Sequence, residues 1–255
     1  MTELAKRTWP EAEPFFDAKT IAIVPIGSTE PHGPHLPLDT DVTIARAQSL
    51  RAAELLEAEG VRAIVLPAVP YGITRYTDGF AGRVTLRPGT LWSLLEDIVI
   101  SLSQDGIRQV VFSNGHLEPE HVKIIRGVAK DNPTRGKHDA QVIFPDNTRR
   151  KWAQTLSAEF QSGDCHAGSY ESSIMLAADP DSVRDKERLA LPPVQIHLIE
   201  KMQAGQTTFR QMGAESAYCG DPAAGSVKEG HEQIDALASM IVESAREAWP
   251  DLFNG

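Results

Sequence analysis

Residues 27–41 concentrate side chains that can hold a metal ion. This segment contains Glu30, His32, His35, Asp39 and Asp41. Imidazole nitrogens and carboxylate oxygens are ligands that Zn²⁺ and Mn²⁺ accept. An apolar run at residues 20–26 comes directly before the segment and predicts a buried strand, which would fix the backbone that carries these ligands. The pattern favours a metal site over the competing interpretation, a polar surface loop with two chance histidines.

Two later segments also bring a histidine and a carboxylate together after a strand-to-loop junction. In the first, Gly115 leads to His116 and Glu118; in the second, His166 is followed by Glu171. In an open α/β sheet, sites form outside the carboxyl ends of the strands, so separate loops can converge there. We therefore expect the three segments to build one site.

The composition is typical of a globular protein. The chain has 255 residues, of which 41% are hydrophobic, and its formal net charge of −10 argues against a nucleic-acid partner. Its two cysteines, Cys165 and Cys219, are too few for a disulfide framework. The sequence shows neither an apolar signal segment at its start nor a run of the roughly 18 apolar residues that a membrane span needs. We expect a cytoplasmic protein with reduced thiols and no membrane partner.

Alternating strand and helix signals predict an α/β fold with a mostly parallel central sheet flanked by helices. The predicted strands are residues 20–26, 61–67, 108–113 and 141–144. The predicted helices are residues 11–17, 40–59, 90–105, 118–131, 156–160, 170–178 and 235–249. Gly60 and Gly106 stand where helix ends are expected, and Thr90 or a neighbour is expected to cap the helix at 90–105. We find no linker or repeat and expect a single domain over residues 1–255.

The number of ligand candidates exceeds what one tetrahedral ion needs. This excess favours two divalent ions, about 3.5–4 Å apart, with a shared carboxylate between them. Such a pair activates a water molecule and polarises a carbonyl group, which suits hydrolysis of an amide-like C–N bond. We expect zinc or manganese, with iron as a third option.

The three segments, with Gly220-Asp221-Pro222 and Lys228-Glu229-Gly230, resemble the creatininase (creatinine amidohydrolase) family. The resemblance spans roughly residues 18–248. It implies an α/β fold, a centre of two zinc or manganese ions, a small-molecule substrate and a homo-oligomer, usually a hexamer.

The resemblance also implies roles for individual residues. Glu30, Asp41 and His116 match the ligands of one metal. His32, Asp41 and Glu118 match the ligands of the other, with Asp41 as the bridge, and Glu118 also belongs to the catalytic group. His166 matches a catalytic histidine that handles protons at the scissile bond, and Glu171 matches a catalytic glutamate close to the metals.

Three departures from the family pattern concern aromatic residues that shape the creatinine pocket. Leu117 stands where true creatininases carry Tyr, and Ser162 where they carry Trp. A further Trp is missing after the fourth predicted strand, where Phe144 stands. We therefore expect an amidohydrolase for which creatinine is a poor substrate. Relatives in the family act on formamides or on the precursor peptide of a redox cofactor.

The loop at residues 71–87 follows the second predicted strand and is expected to overhang the site. Within it Tyr71, Tyr76 and Arg83, together with Leu117, are the candidate substrate-binding residues. An anionic group on the substrate would suit the arginine. A subunit contact is the competing interpretation for this loop.

The remaining histidines and polar residues have simpler interpretations. We expect His35 to be structural, Asp39 to form a turn, and His121, His138, His197 and His231 to lie at the surface. Cys165 next to His166 also suggests a Cys–His nucleophile, but neighbouring residues in an extended loop point apart.

Two functions of other kinds stay open. One is a non-catalytic metal-binding or assembly subunit. The other is a metal-dependent isomerase, or a lactone or ketone hydrolase, because the same ion pair polarises a ketone or an ester.

Overall fold

The centre of the molecule is a parallel sheet. The computed structural model describes residues 2–131 and 139–254, so the expectation for His138 lies outside the described residues. The strands are β1 (Ile21–Ile26), β2 (Ala63–Val65), β3 (Gln109–Asn114) and β4 (Gln141–Ile143). They form a four-stranded sheet in the order β2-β1-β3-β4, and every pair is parallel. The predicted α/β fold with a parallel sheet flanked by helices is confirmed.

Helices of 4 to 22 residues connect and flank the strands. They are α1 (Trp9–Ala12), α2 (Thr40–Ala58), α3 (Pro88–Gln104), α4 (Pro119–Asp131), α5 (Arg150–Ala153), α6 (Ala158–Ser162), α7 (Ser169–Ala178), α8 (Asp185–Ala190), α9 (Leu198–Gln203), α10 (Phe209–Met212) and α11 (Val227–Ala248). Short 3-10 turns occur at Leu4–Lys6, Glu13–Phe15, Pro180–Ser182, Pro222–Ala224 and Pro250–Phe253.

Helices cover both faces of β1, which is buried along its whole length. Ile21 and Ile23 pack in a cluster with residues of α2 and α11. Ala22 and Val24 belong to the opposite cluster, which includes residues of α3 and α4. This alternation follows from the two-residue period of a strand, and it explains why the β1 sequence is apolar at successive positions.

The register of the sheet brings two of the motif segments to the same edge. β1 and β3 pair from Ile21 opposite Gln109 to Ile26 opposite Asn114, so both strands end at the same level. The Gly115 amide still donates to the Ile26 carbonyl, at 2.9 Å. Residues 27–41 and 115–118 therefore leave the sheet side by side at its carboxyl edge.

Several helix starts differ from the sequence predictions, among them those of α1 and α6 by two residues, and the starts of α3 and α11 have a local cause. α3 begins at Pro88, with Arg87 as its N-cap, so Thr90 lies inside the first turn rather than capping it. Proline suits this first turn because its missing N–H would have no partner there. α11 begins at Val227, well before the predicted start at 235, because the Ser226 hydroxyl accepts a backbone N–H from the first turn.

The predicted helix ends are confirmed at two glycines. Gly60 and Gly106 follow α2 and α3 with φ values of +79° and +105°, which glycine adopts at little cost. Among the described helices, none has both the length and the apolar content that crossing a bilayer requires.

Candidate metal and active site

Asp41 lies at the centre of the site, in the first turn of α2. Its Oδ1 atom is 3.1 Å from His32 Nε2, and its Oδ2 atom is 3.0 Å from His116 Nδ1. The Ser28 hydroxyl donates to Oδ2 at 2.6 Å and holds the carboxylate in place. Asp41 and both histidines are buried. One carboxylate thus faces two imidazoles through its two separate oxygens.

Glu30 faces the same side of His116. Its Oε1 atom is 3.2 Å from His116 Nδ1, and its Oε2 atom accepts hydrogen bonds from the Thr74 and Thr77 hydroxyls. Because Thr74 and Thr77 belong to the loop after β2, that loop fixes a side chain from the loop after β1.

Glu171, in the first turn of α7, approaches from the third segment. Its Oε2 atom is 3.6 Å from His32 Nε2 and accepts the Ala167 amide at 2.6 Å. Three groups of side chains then have the mutual distances that a metal site needs: Glu30, Asp41 and His116; His32, Asp41 and Glu171; and Glu30, His32 and His166. The three segments converge on one site, although the third connects α6 to α7 and does not follow a strand as predicted.

The two central histidines have their outer nitrogens tied to the backbone. His32 Nδ1 donates to the Glu30 carbonyl at 3.0 Å, and His116 Nε2 donates to the Ile73 carbonyl at 2.7 Å. A neutral imidazole bound in this way presents a lone pair at its inner nitrogen. In the neutral rings, those lone pairs would face the carboxylate oxygens of Asp41 and Glu30 at 3.0–3.2 Å. Such a contact is repulsive unless positive charge lies between the two groups.

The pKa shifts have the same cause. Although burial alone would lower the pKa of His32, the Asp41 and Glu171 carboxylates raise it to about 10. Burial opposes ionisation of Asp41, yet His32 and His116 hold its pKa well below the usual range. Burial raises the pKa of Glu171 to about 8. The cluster therefore stabilises positive charge at its centre, which a divalent cation supplies.

His166 lies next to the cluster on a short loop before α7. Its Nε2 atom donates to the Pro31 carbonyl at 3.0 Å, and its ring centroid lies 4.4 Å from each of His32 and Phe209. Burial, followed by the nearby His32, lowers the pKa of His166 to about 4. A neutral ring at this position has Nδ1 free to accept a proton.

Glu118 differs from the arrangement that the resemblance implies. It belongs to none of the three groups formed by the described residues. Its Oε2 atom instead accepts the backbone amides of Arg75 and Tyr76, at 2.5 and 3.2 Å, and burial raises its pKa. Glu171 takes the place beside His32 and Asp41 that we expected Glu118 to fill.

A cavity of about 360 Å³ opens above the cluster. Its polar base contains Glu30, Asp41, His116, Glu118, His166 and Glu171. The rest of its lining is mainly apolar and comprises Tyr76, Leu117, Pro119, Val122, Arg126, Thr148, Ala153, Phe160, Gln161, Gly163, Cys165, Leu198, Ile199, Met202 and Phe209. This volume lies within the range of small-molecule sites.

The structure brings only two of the four candidate substrate-binding residues to the cavity. Tyr76 and Leu117 line it. Tyr71 is 45% exposed and is not part of the lining, because the loop turns outward at that residue. Arg83 is also outside the lining, since it pairs with Asp78 at 2.8 Å and donates to the Thr74 carbonyl. Ser162 is likewise exposed and outside the cavity.

His121 is buried, so the expectation that it lies at the surface is wrong. Its relative exposure is 0%, and its Nε2 atom donates to Asn114 Oδ1 at 3.0 Å. The same Asn114 side chain donates to the His116 carbonyl. The sequence contained a signal for this role, because His121 lies five residues after His116 and on the first turns of a helix that starts at the site. His197 and His231 are exposed, as predicted.

The cysteines do not favour nucleophilic catalysis. Cys165 and Cys219 are buried free thiols, and burial raises the pKa of both. A raised pKa suppresses the thiolate that a nucleophile needs. Burial of His35, whose Nε2 atom lies 3.1 Å from the Ser172 hydroxyl, agrees with its predicted structural role.

The fold and the site together define an α/β protein with a cluster of side chains that could bind metal at the carboxyl edge of a parallel sheet. The sequence model of the creatininase family, described as creatinine amidohydrolase, matches residues 5–245. The chain therefore belongs to the creatininase family.

Relatives and solved structures agree with this assignment. The chain is 29% identical to the mycofactocin precursor peptide peptidase of Mycolicibacterium smegmatis, over 91% of this chain and 86% of the relative. It is 31% identical to the creatinine amidohydrolase of Pseudomonas putida, over 73% of this chain and 75% of the relative. A manganese form of creatininase superposes with a TM-score of 0.74 at 22% identity, covering 98% of this chain and 99% of that one. At that identity, the superposition shows a shared fold.

Proposed function

We propose that this protein is a metal-dependent hydrolase that cleaves a C–N bond in an amide, a cyclic amide, a formamide or a peptide. One observation carries the proposal: the inner imidazole nitrogens of His32 and His116 and three buried carboxylates converge to within the distances that a metal site needs. The similarity to a peptidase and to an amidohydrolase supports the C–N bond as the target.

The donor set suits two divalent ions. Glu30, Asp41 and His116 would hold the first ion. His32 and Asp41, with Glu171 or Glu118 as a third ligand, would hold the second. Nitrogen and carboxylate donors of this kind suit zinc, manganese or iron. When bound, such ions lower the pKa of a water molecule and polarise a carbonyl oxygen.

The chain's own residues supply proton transfer and orientation. His166 is neutral at pH 7, so we assign it the role of accepting a proton at Nδ1 and passing it to the leaving nitrogen. The stacked Phe209 ring and the Pro31 carbonyl fix its orientation. The apolar cavity wall excludes water from the substrate and strengthens the electrostatic contacts at its base.

Creatinine is expected to be a poor substrate. With Leu117 in the lining and Ser162 outside it, the cavity has no aromatic side chain at either of these two positions, although Tyr76, Phe160 and Phe209 line other parts of it. Each lost aromatic contact is worth roughly 0.5–1.5 kcal/mol. A creatinine kcat/KM of about 10⁴ M⁻¹s⁻¹ or above would show that this expectation is wrong.

Metal analysis and a substrate panel test the proposal. Protein purified without chelator should retain about one or more transition ions per chain. It should also hydrolyse at least one member of a panel of formamides, lactams and short peptides. Asp41→Ala should lose both metal and activity. Asp39→Ala is the matched control and should keep both, because Asp39 is exposed and caps α2 without a side-chain hydrogen bond.

Several outcomes point to other functions. Activity that survives Asp41→Ala would separate catalysis from the metal site. Metal binding with no turnover of the panel would favour a non-catalytic metal-binding or assembly subunit. Turnover of lactones or ketones, with no turnover of amides, would favour a lactone or ketone hydrolase or a metal-dependent isomerase. We also expect a homo-oligomer, with a hexamer favoured, which light scattering can test.

A further inference from the structure

One face of α4 leads away from the proposed metal site. Pro119, Val122 and Arg126 all line the cavity, and their spacing of three and four residues places them along one side of the helix. Glu118, at the start of this row, belongs to the base of the cavity. The row therefore runs from the carboxylates to an arginine.

Arg126 is held in place by two side chains from the segment that follows β4. Its Nε atom donates to Asp146 Oδ2 at 2.6 Å, and its Nη2 atom donates to the Thr148 hydroxyl at 2.7 Å. Asp146 is only 7% exposed at its side chain, and it also accepts the Thr148 hydroxyl at 2.6 Å. Arg126 itself is 38% exposed, and the structure shows no bond from its Nη1 atom to another described residue. The Arg126 guanidinium is thus fixed in position, and its Nη1 N–H groups are available to donate to a molecule in the cavity.

The lining between the two ends is apolar. Leu117, Val122, Phe160, Met202 and Phe209 form most of it. Among the described residues that line the cavity, Arg126 is the one lysine or arginine. A substrate that extends from the base toward Arg126 would therefore place an apolar group in the middle and an anion at the far end.

The length of the path limits the size of that substrate. Arg126 lies eight positions after Glu118, which corresponds to a rise of about 12 Å along α4. Helical side chains lean toward the N-terminus, so the guanidinium lies closer to the base than this rise suggests. An extended chain advances about 3.3–3.6 Å per residue, so three residues or fewer bridge the distance.

We infer that Arg126, held by Asp146 and Thr148, binds a carboxylate of the substrate. The substrate is then a short linear amide that carries an apolar group and ends in a carboxylate, either a peptide with a free C-terminus or an N-acyl amino acid. This inference rests on the proposed amide hydrolysis and specifies its substrate class. Guanidinium groups suit this role because they bind carboxylates through paired hydrogen bonds.

Matched substrates and matched arginines test the inference. The substrates are N-acetyl peptides of two and three apolar residues and N-acetyl-leucine, each with a free carboxylate or as the carboxamide. The variants are Arg126→Gln, Arg126→Lys and Arg149→Gln. Arg149 is the control, because it contacts the same Asp146 oxygen at 3.2 Å but is 66% exposed and outside the cavity lining. Circular dichroism and metal content verify that each variant is folded and loaded.

We expect wild type to favour the carboxylate over the carboxamide by roughly 10- to 100-fold in kcat/KM, mainly through KM. Arg126→Gln should bring that ratio close to one, Arg126→Lys should restore part of it, and Arg149→Gln should keep it. A wild-type ratio near one, or an equal loss in Arg149→Gln, would overturn the inference. Comparison of the N-acetyl peptides with N-acetyl-leucine shows whether a peptide or an N-acyl amino acid is the preferred substrate.

A binding measurement separates this inference from the proposed function. Calorimetric titration with N-acetyl-leucine and its carboxamide requires no turnover. Stronger binding of the carboxylate by wild type, lost in Arg126→Gln, would support the carboxylate site even if no substrate is cleaved. Equal binding of both compounds would contradict it whatever the activity.

Discussion

The Nδ1 atom of His121 accepts a hydrogen bond from the Ile73 amide, at 3.2 Å. The carbonyl of the same Ile73 accepts from His116 Nε2, at 2.7 Å. His121 and His116, from one segment, thus bind the amide and the carbonyl of Ile73, which belongs to another loop. Their rings lie edge to face, with centroids 4.7 Å apart. Because His121 is buried and its pKa is lowered by that burial and by His116, it acts as a neutral support for His116.

His121→Ala tests this support. It leaves the Ile73 amide without its His121 acceptor and removes one of the two donors to Asn114 Oδ1, which should cost roughly 2–4 kcal/mol in the free energy of unfolding. The loss of an anchor behind His116 should also weaken metal binding by roughly 10- to 100-fold in a chelator competition. His231→Ala, at an exposed histidine, should change neither quantity. Unchanged metal affinity in a folded His121→Ala protein would rule out the supporting role.

Gly115→Ala tests the close approach of β3 to α2. A Cβ atom at Gly115 would lie 2.2 Å from the Asp41 carbonyl oxygen, so α2 would have to move away from His116. We expect a loss of roughly 1–3 kcal/mol or more in stability, with weaker metal retention. Gly89→Ala has open space around it and lies in the first turn of α3, so it should be neutral or slightly stabilising. Thermal unfolding and metal analysis of both variants distinguish the two cases.

Glu171→Gln and Glu118→Gln distinguish the two candidate ligands of the second ion. Glu171 lies 3.6 Å from His32, whereas one oxygen of Glu118 is occupied by two backbone amides. We therefore expect Glu171→Gln to lower the metal content by about one ion per chain. Glu118→Gln should keep the metal content and disturb the loop at Arg75 instead. The reverse result would return Glu118 to the ligand set that the family resemblance implies.

His166→Ala tests the proton-transfer role. If His166 moves protons without holding an ion, the variant should keep its metal and its fold while turnover falls by roughly 10²–10⁴-fold. Asp41→Ala is the comparison, because it should lose metal as well as activity. His166 does belong to one of the three groups with metal-site distances. If His166→Ala strips metal as completely as Asp41→Ala does, His166 is a ligand.

His35 should contribute to the dependence of stability on pH. Burial, followed by His32, lowers its pKa from the usual 6.5 to about 4 in the folded chain. The unfolded chain therefore binds the His35 proton more readily between pH 6.5 and 4, and stability falls as the pH falls through this window. The stability difference between wild type and His35→Gln should shrink over the same window in denaturant titrations. A difference that is constant with pH would contradict the neutral, buried state of His35.

Much of the fold could be predicted because its signals are local. The apolar runs predict β1 and β3 without reference to any other part of the chain. The glycines after α2 and α3 likewise end those helices through their own backbone conformation. The convergence of the first two motifs also followed from local signals, since parallel strands deliver their following loops to one edge. The third motif lies between α6 and α7 rather than after a strand, so its approach to the other two could not be predicted in this way. The start of α3 was missed because Thr90 and Pro88 both give a start signal, and the proline lies earlier.

The parts of the site that could not be predicted depend on contacts between distant segments. His121 has an ordinary helical context in the sequence, and only the Gly72–Ile73 loop packed against it shows that it is buried. The loop at residues 71–87 was predicted to overhang the site as a whole, but it turns Tyr76 inward and Tyr71 outward. Arg126 had no motif around it, because its position depends on Asp146 from another strand end.

The central contacts of the cluster join residues that are far apart in the chain. His32 contacts Asp41, which is close to it in the chain, and also Glu171, which is far from it in the chain. His116, which contacts Asp41, lies between Asp41 and Glu171 in chain order. A nascent chain cannot complete this arrangement until residue 171 has left the ribosome. Ions that bind here would then stabilise the finished domain rather than nucleate its folding, and synthesis would not depend on metal supply until most of the chain had been made.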